Sequence, residues 1–172
     1  MIADAPSWTI APQPAGSPES AALLRAYLVD IADRWYRLHH DRGVTPEEIE
    51  RHLAEMAADD LTPPHGVLLV ARYDGEPAGC AGLLRRDAWT AEVTKVFVRE
   101  DRRGLGGAPR LMAAAEETAR GWGTRRLVLN TRRDLVEARA LYARHGFTTI
   151  EPYKPLEEDP FAEVWLGKEL GA

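Results

Sequence analysis

Apolar positions along the chain change their spacing several times, and each change marks an element. Trp8 to Ala11 predicts a short strand, ended by Pro12 and Pro14, and the residues ahead of it are loose. Ser17-Pro18-Glu19 then offers a cap, a proline at the first helical position and an acid near the positive end. Leu23, Leu24, Tyr27, Leu28, Ile31, Trp35 and Leu38 follow at helical spacing and form one apolar face. Thr45-Pro46-Glu47-Glu48 is a capping box. The helix it opens carries Ile49, Leu53 and Met56 on one side and stops near Asp59-Asp60, since Pro63-Pro64 prevent its continuation.

The period then shortens. Val67 to Ala71 is a strand, Asp74-Gly75 is a hairpin turn, and the return strand from Ala78 to Leu84 is rich in small residues, with Cys80 packing as a small apolar side chain. A turn over Asp87 to Thr90 leads into a strand from Ala91 to Val98, so three antiparallel strands precede a loop of arginines and glycines. Strand alternation predicts Glu92, Thr94, Val96 and Val98 on one face. Past the loop, Leu111, Met112, Ala115 and Ala119 define a helix closed around Gly121-Trp122-Gly123. Arg126 to Asn130 is a short apolar strand, and Asp134 caps a helix carrying Leu135, Ala138, Leu141 and Tyr142, which ends at His145-Gly146. Phe147 to Ile150 and Phe161 to Leu170 are the last strands, the latter with Trp165 buried; between them lies a proline-rich acidic loop with Glu157, Glu158 and Asp159. Strand, helix, strand, helix, strand implies right-handed crossovers and a sheet covered on both faces. Residues 1–7 read as a flexible N-terminus and 8–172 as one domain.

Composition narrows the function. Apolar residues at 45% and charged ones at 28% describe an ordinary globular domain, and 172 residues suffice for one sizeable core. A net charge of −5 argues against a general nucleic-acid surface. Cys80 is the single cysteine, so no internal disulfide forms, and a reducing cytoplasm is the expected home. No signal peptide is visible, and no apolar run approaches the ~20 residues of a membrane span. His39, His40, His52 and His65 show no metal-ligand spacing with Cys80 or with acids, so no metal is expected.

The loop between the third strand and the following helix carries the chemistry. It reads Arg99-Glu100-Asp101-Arg102-Arg103-Gly104-Leu105-Gly106-Gly107-Ala108-Pro109-Arg110. Glycines let backbone N–H groups approach a ligand closely, and Pro109 suits a first helical turn. A helix N-terminus presents partial positive charge and unpaired donors to phosphate, and Arg102, Arg103 and Arg110 add full charges. The stretch is a pyrophosphate cradle. It is not a P-loop, because no Gly-Lys-Ser/Thr closes it. Nor is it a dinucleotide fingerprint, which would have a third small residue at Pro109 and an acid about 20 residues further on.

Arg103-Gly104-Leu105-Gly106-Gly107-Ala108 matches Gln/Arg-x-x-Gly-x-Gly/Ala and resembles the acyl-CoA pyrophosphate loop of the GNAT superfamily of N-acyltransferases. Leu141-Tyr142-Ala143-Arg144-His145-Gly146-Phe147 is similar to that superfamily's second signature, and the element order agrees over roughly residues 8 to 170. Two departures stand out: Pro109 replaces a more usual helix former, and Leu135 occupies the place where an Asn often begins the second signature. The resemblance implies a mixed α/β (α+β) fold, with a largely antiparallel central sheet of about seven strands and helices on both faces. It implies acetyl-CoA as cosubstrate, held by Arg103, Gly104, Leu105, Gly106, Gly107 and Ala108, by the backbone of Phe97 and Val98 running beside the pantetheine arm like an added strand, and by Asn130. It also places the helix end from Tyr36 to His40 near the acceptor entrance, and it admits a homodimer.

An ammonium acceptor must lose a proton before it attacks a thioester, and the departing thiolate needs one back. Tyr142, protonated at neutral pH, suits the acid. Glu92, on the strand leading into the cradle, suits the base, as the resemblance implies for some members, and a partly buried glutamate facing a cleft would be the better base. No cysteine or serine stands out as a nucleophile, so direct transfer in a ternary complex is expected. The expected function is acetyl transfer to a primary amine of a small molecule. An aminoglycoside-type antibiotic, a protein N-terminus or lysine, and a non-catalytic acyl-CoA-binding regulator are the alternatives.

Overall fold

The computed structural model describes residues 7–56 and 60–171. The expected loose start falls on residues 1–6, outside the described residues; of the expected helix end near Asp59-Asp60, Asp59 lies outside them and Asp60 is non-helical. In chain order the elements are β1 (Trp8–Pro12), α1 (Pro18–His40), α2 (Pro46–Met56), β2 (Gly66–Tyr73), β3 (Glu76–Arg85), β4 (Thr90–Val98), α3 (Gly107–Gly121), β5 (Arg126–Thr131), α4 (Val136–Arg144), β6 (Thr148–Thr149) and β7 (Val164–Glu169). One sheet holds all seven strands in the order β1-β2-β3-β4-β5-β7-β6. Neighbours are antiparallel except β4 and β5, which run parallel. β7 lies between β5 and β6, so the strand–helix–strand run after the loop does not end in adjacent parallel strands as the sequence order suggested. A two-residue β6 makes a sheet edge too short to template further pairing.

Local signals act where expected. The Ser17 side chain accepts from the Ser20 amide at 3.2 Å. The capping box is reciprocal, with the Glu48 amide donating to Thr45 Oγ1 at 3.2 Å and the Thr45 amide to Glu48 Oε2 at 2.9 Å. Asp74 and Gly75 both have positive φ, the geometry of a tight hairpin turn. Asp134 does not cap α4: Leu135 stands at that cap, and the Asp134 carboxylate instead takes both Nε and Nη2 of Arg132 at 2.9 Å. A fork-to-fork pair with a buried guanidinium is a stronger partner for that carboxylate than one exposed helix amide.

The core divides by strand alternation. Val67, Leu69 and Ala71 of β2 join Ala81 and Leu83 of β3 under Leu111, Met112, Ala115 and Ala119 of α3, with Leu141 and Tyr142 of α4 in the same cluster. Leu68, Val70 and Cys80 face the other way, onto Leu23 and Tyr27 of α1. Helices therefore cover both faces. In β4 the alternation breaks. Cys80 pairs with Phe97 while Gly82 pairs with Thr94, leaving one extra residue in β4, and Lys95 takes φ 53°. That β-bulge changes the parity of the strand. Ala91 and Val93 lie on the α3 face, and beyond the bulge Val96 and Val98 lie there too, with Phe97 on the α1 face. The expectation of a common face for Glu92, Thr94, Val96 and Val98 is thus overturned.

Candidate active site

The same strand makes an opening in the sheet. β4 pairs with β5 only over Thr90–Glu92 against Arg126–Val128. Farther along, β5 stays with β7 out to Thr131, and β4 stays with β3 out to Val98. Between the separated strands lies a cavity of about 1230 Å³, lined by β4 from Glu92 to Val98. The Arg99 amide donates to the Ala78 carbonyl at 2.8 Å, so ladder alternation turns the Val98 amide away from β3 and toward the open edge. The Val98 carbonyl, on that edge, accepts from Arg103 Nε at 2.9 Å.

At one end of the cavity the loop meets α3. Gly104 and Gly106 have φ of +76° and +86°, and no side chain caps the helix at Gly106. The first-turn amides consequently lack intrahelical partners, and Gly106, Gly107 and Ala108 line the cavity. An anion with several oxygens fits that donor set, which is what a pyrophosphate presents. Arg103 does not project freely. Its guanidinium lies over Phe97 at 5.9 Å and reaches Asp30 at 3.4 Å. Leu105 does not line the cavity; its side chain is exposed and its carbonyl accepts the Trp8 indole N–H at 2.8 Å. Arg110 turns back onto the Gly106 carbonyl at 3.0 Å, while Arg144 brings another guanidinium to the wall.

Tyr142 and Glu92 both line the cavity near the fork. Tyr142 is buried, its ring edge-on to Phe147 at 6.0 Å, and burial pushes its phenol well above the usual range. No fully buried side-chain polar atom among the described residues is left without a hydrogen-bond partner. Glu92 is 3% exposed. Its carboxylate accepts from the Tyr153 hydroxyl and lies 3.0 Å from Lys154 Nζ, which also reaches Asp159 at 3.4 Å. Burial, and then the Glu92 charge, push the Tyr153 phenol up. Asn130 lines the cavity but turns its amide N–H to Tyr153 at 3.3 Å. Lys95, at the bulge, is pushed down to about 8, chiefly by burial and then by the Lys154 charge.

The far wall is aromatic and acidic. Trp35 meets Phe161 edge-on at 5.2 Å and His40 at 5.2 Å. Tyr36 Oη and His52 Nε2 are 3.3 Å apart, and His52 Nδ1 lies 3.1 Å from Glu55. Glu157, Glu158 and Asp159 complete that wall. Among the described residues, no group of three or more His, Cys, Asp or Glu side chains could hold a metal ion. No helix there is long and apolar enough to cross a membrane.

Several of these residues carried no signal in the linear sequence. Tyr153 and Lys154 sit in a proline-rich loop, and only the rarity of lysine in an arginine-rich chain set Lys154 apart. Trp8 looked like an ordinary strand residue. Its contact with Leu105 spans 97 positions.

Known proteins share this chain's sequence pattern and fold. The profile of the Acetyltransferase (GNAT) family matches residues 27–147. An uncharacterised N-acetyltransferase of Mycobacterium tuberculosis is 32% identical over 125 residues, which cover 70% of this chain and 80% of that protein. Among solved structures, a GNAT family acetyltransferase from Elizabethkingia anophelis with acetyl-CoA bound superposes with a TM-score of 0.64 at 24% identity, covering 95% of this chain and 98% of that one. A proposed acyl-CoA N-acyltransferase from Klebsiella pneumoniae gives 0.71 at 24% identity over the same shares.

Proposed function

The chain belongs to the GNAT family of acetyl-CoA-dependent acetyltransferases, and we propose that its acceptor is the primary amine of a small molecule, attacked directly in a ternary complex. One observation carries the reading: a single cavity runs from the uncapped start of α3, along the open edge of β4, to an aromatic and acidic wall. Acetyl-CoA supplies the activated acetyl group. The amides of Gly106, Gly107 and Ala108 would face its pyrophosphate, and the Val98 amide would meet the pantetheine arm as a neighbouring strand would. Asn130 lines the cavity with its amide N–H engaged by Tyr153, and Leu105, outside the cavity, serves by anchoring the loop to Trp8 through its carbonyl.

The proton transfers fall to two residues in this proposal. Tyr142, kept protonated by burial, delivers a proton to the departing thiolate. Glu92 accepts the proton from the acceptor's ammonium, directly or through a water. The acids Glu157, Glu158 and Asp159 favour a cationic acceptor, and Trp35 with Phe161 favours an apolar body attached to it. Such a wall suits a monoamine better than a polycationic aminoglycoside, whose many hydroxyls it could not satisfy. The test is thiol release from acetyl-CoA against arylalkylamines, aliphatic amines, aminoglycosides and peptides with free N-termini. Release with the small monoamines is expected. Release confined to peptides or aminoglycosides would overturn the acceptor assignment, and tight acetyl-CoA binding without release to any amine would point to a regulatory binder.

A further inference from the structure

The loop between β6 and β7 presents two adjacent residues of opposite freedom to the fork. Tyr153 is held on three sides: its ring stands edge-on to Trp165 at 5.1 Å, its hydroxyl donates to Glu92, and it accepts from Asn130. Lys154 reaches the same carboxylate at the end of a flexible four-carbon stem. Its Nζ lies 3.0 Å from Glu92 Oε2 and 3.4 Å from Asp159 Oδ2. The side chains of Lys154 and Glu92 are 10% and 5% exposed, and that of Asp159 is 30% exposed. A primary ammonium is therefore already seated between two carboxylates, inside the cavity and beside the proposed base.

We propose that Lys154 is a specificity-determining residue, whose ammonium occupies in the free enzyme the position between Glu92 and Asp159 that a cationic acceptor takes by displacing it. This rests on the amine-acceptor reading above. The two ammonium groups are chemically alike, and each carries three donors for the same carboxylate oxygens. Tyr153 and Lys154 share Glu92 Oε2, so an ammonium that takes the place between that oxygen and Asp159 does so by displacing Lys154. Emptying the site would leave the buried Glu92 charge without its Lys154 counter-charge and with the Tyr153 hydroxyl still donating to it, which is unfavourable. Exchanging one ammonium for another avoids that cost. Lysine suits the role because its stem can swing the charge outward to water while a planar guanidinium is held more rigidly. A neutral acceptor has no charge with which to compensate Glu92, so the exchange selects for amines that arrive protonated.

A tethered competitor raises the apparent dissociation constant of the acceptor by the fraction of time the site is taken. Lys154→Met keeps the stem and removes the charge. With Lys154 in place nine-tenths of the time, KM for protonated alkylamines in this variant should fall about tenfold. KM for an arylamine that is neutral at assay pH, and the acetyl-CoA Kd by calorimetry, should stay put. Unchanged or raised KM for the protonated amines would overturn the displacement. A wild-type enzyme that acetylates none of these amines would instead overturn the acceptor reading beneath it. A second measurement needs no variant. Reductive methylation of Lys154, followed by peptide mass spectrometry, should be slow in the free protein. It should quicken several-fold when the site is saturated with an N,N-dimethylalkylamine, a cation that can be neither acetylated nor methylated under the assay. No change in the Lys154 labelling rate at saturation would also overturn the proposal.

Discussion

The indole nitrogen of Trp8 donates to the carbonyl oxygen of Leu105 at 2.8 Å, tying the first strand of the sheet to the glycine loop ahead of α3. The same ring lies against Gly107, where an added Cβ would fall 2.5 Å from it. Trp8→Phe should cost about 1 kcal/mol of stability through the lost hydrogen bond. Its larger effect should be on acetyl-CoA, whose Kd rises several-fold because the loop donors are no longer held in register. Gly107→Ala should raise Kd further, since the ring must move. Calorimetry on both variants checks this, and unchanged affinity would show that the loop holds its shape without Trp8.

Gly106 tests the donors themselves. Its φ of +86° suits glycine and strains a β-branched residue, while the Arg110 guanidinium near its virtual Cβ can swing aside. A hydrogen bond to a charged oxygen is worth about 1.5–3 kcal/mol, so losing one weakens binding by about ten- to a hundredfold. Gly106→Val should reach that range with the protein still folded. Gly106→Asn, which tolerates the left-handed region, should lose much less. Equal binding by all three proteins would remove the pyrophosphate from this loop.

Tyr142→Phe removes a proton donor and keeps nearly all of the packing. Turnover should fall ~10²-fold or more while acetyl-CoA affinity stays within a few-fold. Burial raises the Tyr142 phenol, so the folded chain keeps that proton at a pH where the unfolded chain has lost it. Stability from this group is therefore complete below the unfolded pKa near 10 and declines as pH rises above it. The Phe variant should lose less stability than wild type in that alkaline range, as denaturant titrations at successive pH values will show. Undiminished turnover would leave the tyrosine a packing residue.

Glu92→Gln retains size and hydrogen bonding but cannot accept a proton. Turnover with protonated amines should fall ~10²-fold or more, and the acidic limb of the pH–rate profile should shift or vanish. The loss should shrink for amines largely unprotonated at assay pH. A residue that merely attracts cations would chiefly raise KM for charged acceptors, so kcat and KM measured separately distinguish the two roles. A variant with wild-type turnover and an unshifted acidic limb takes Glu92 out of the mechanism.

Much of this protein was determined by residues close to one another in the chain. Thr45 with Glu48, Asp74 with Gly75, and the glycines ahead of Pro109 act over a few positions, so their helix start, hairpin and glycine turn into α3 were legible before any fold was known. The two signatures around Arg103 and Tyr142 carried the family for the same reason. Tertiary structure decided the rest. The bulge at Lys95 exists because β4 must stay in register with β3 on one edge while it separates from β5 on the other, a condition set by strands far apart in the chain. Asp134 left its helix cap because folding brought it a bidentate arginine. Glu92 met Tyr153 and Lys154 across about 60 residues, where burial makes pairing of its charge obligatory and no local pattern can foretell which partner will supply it.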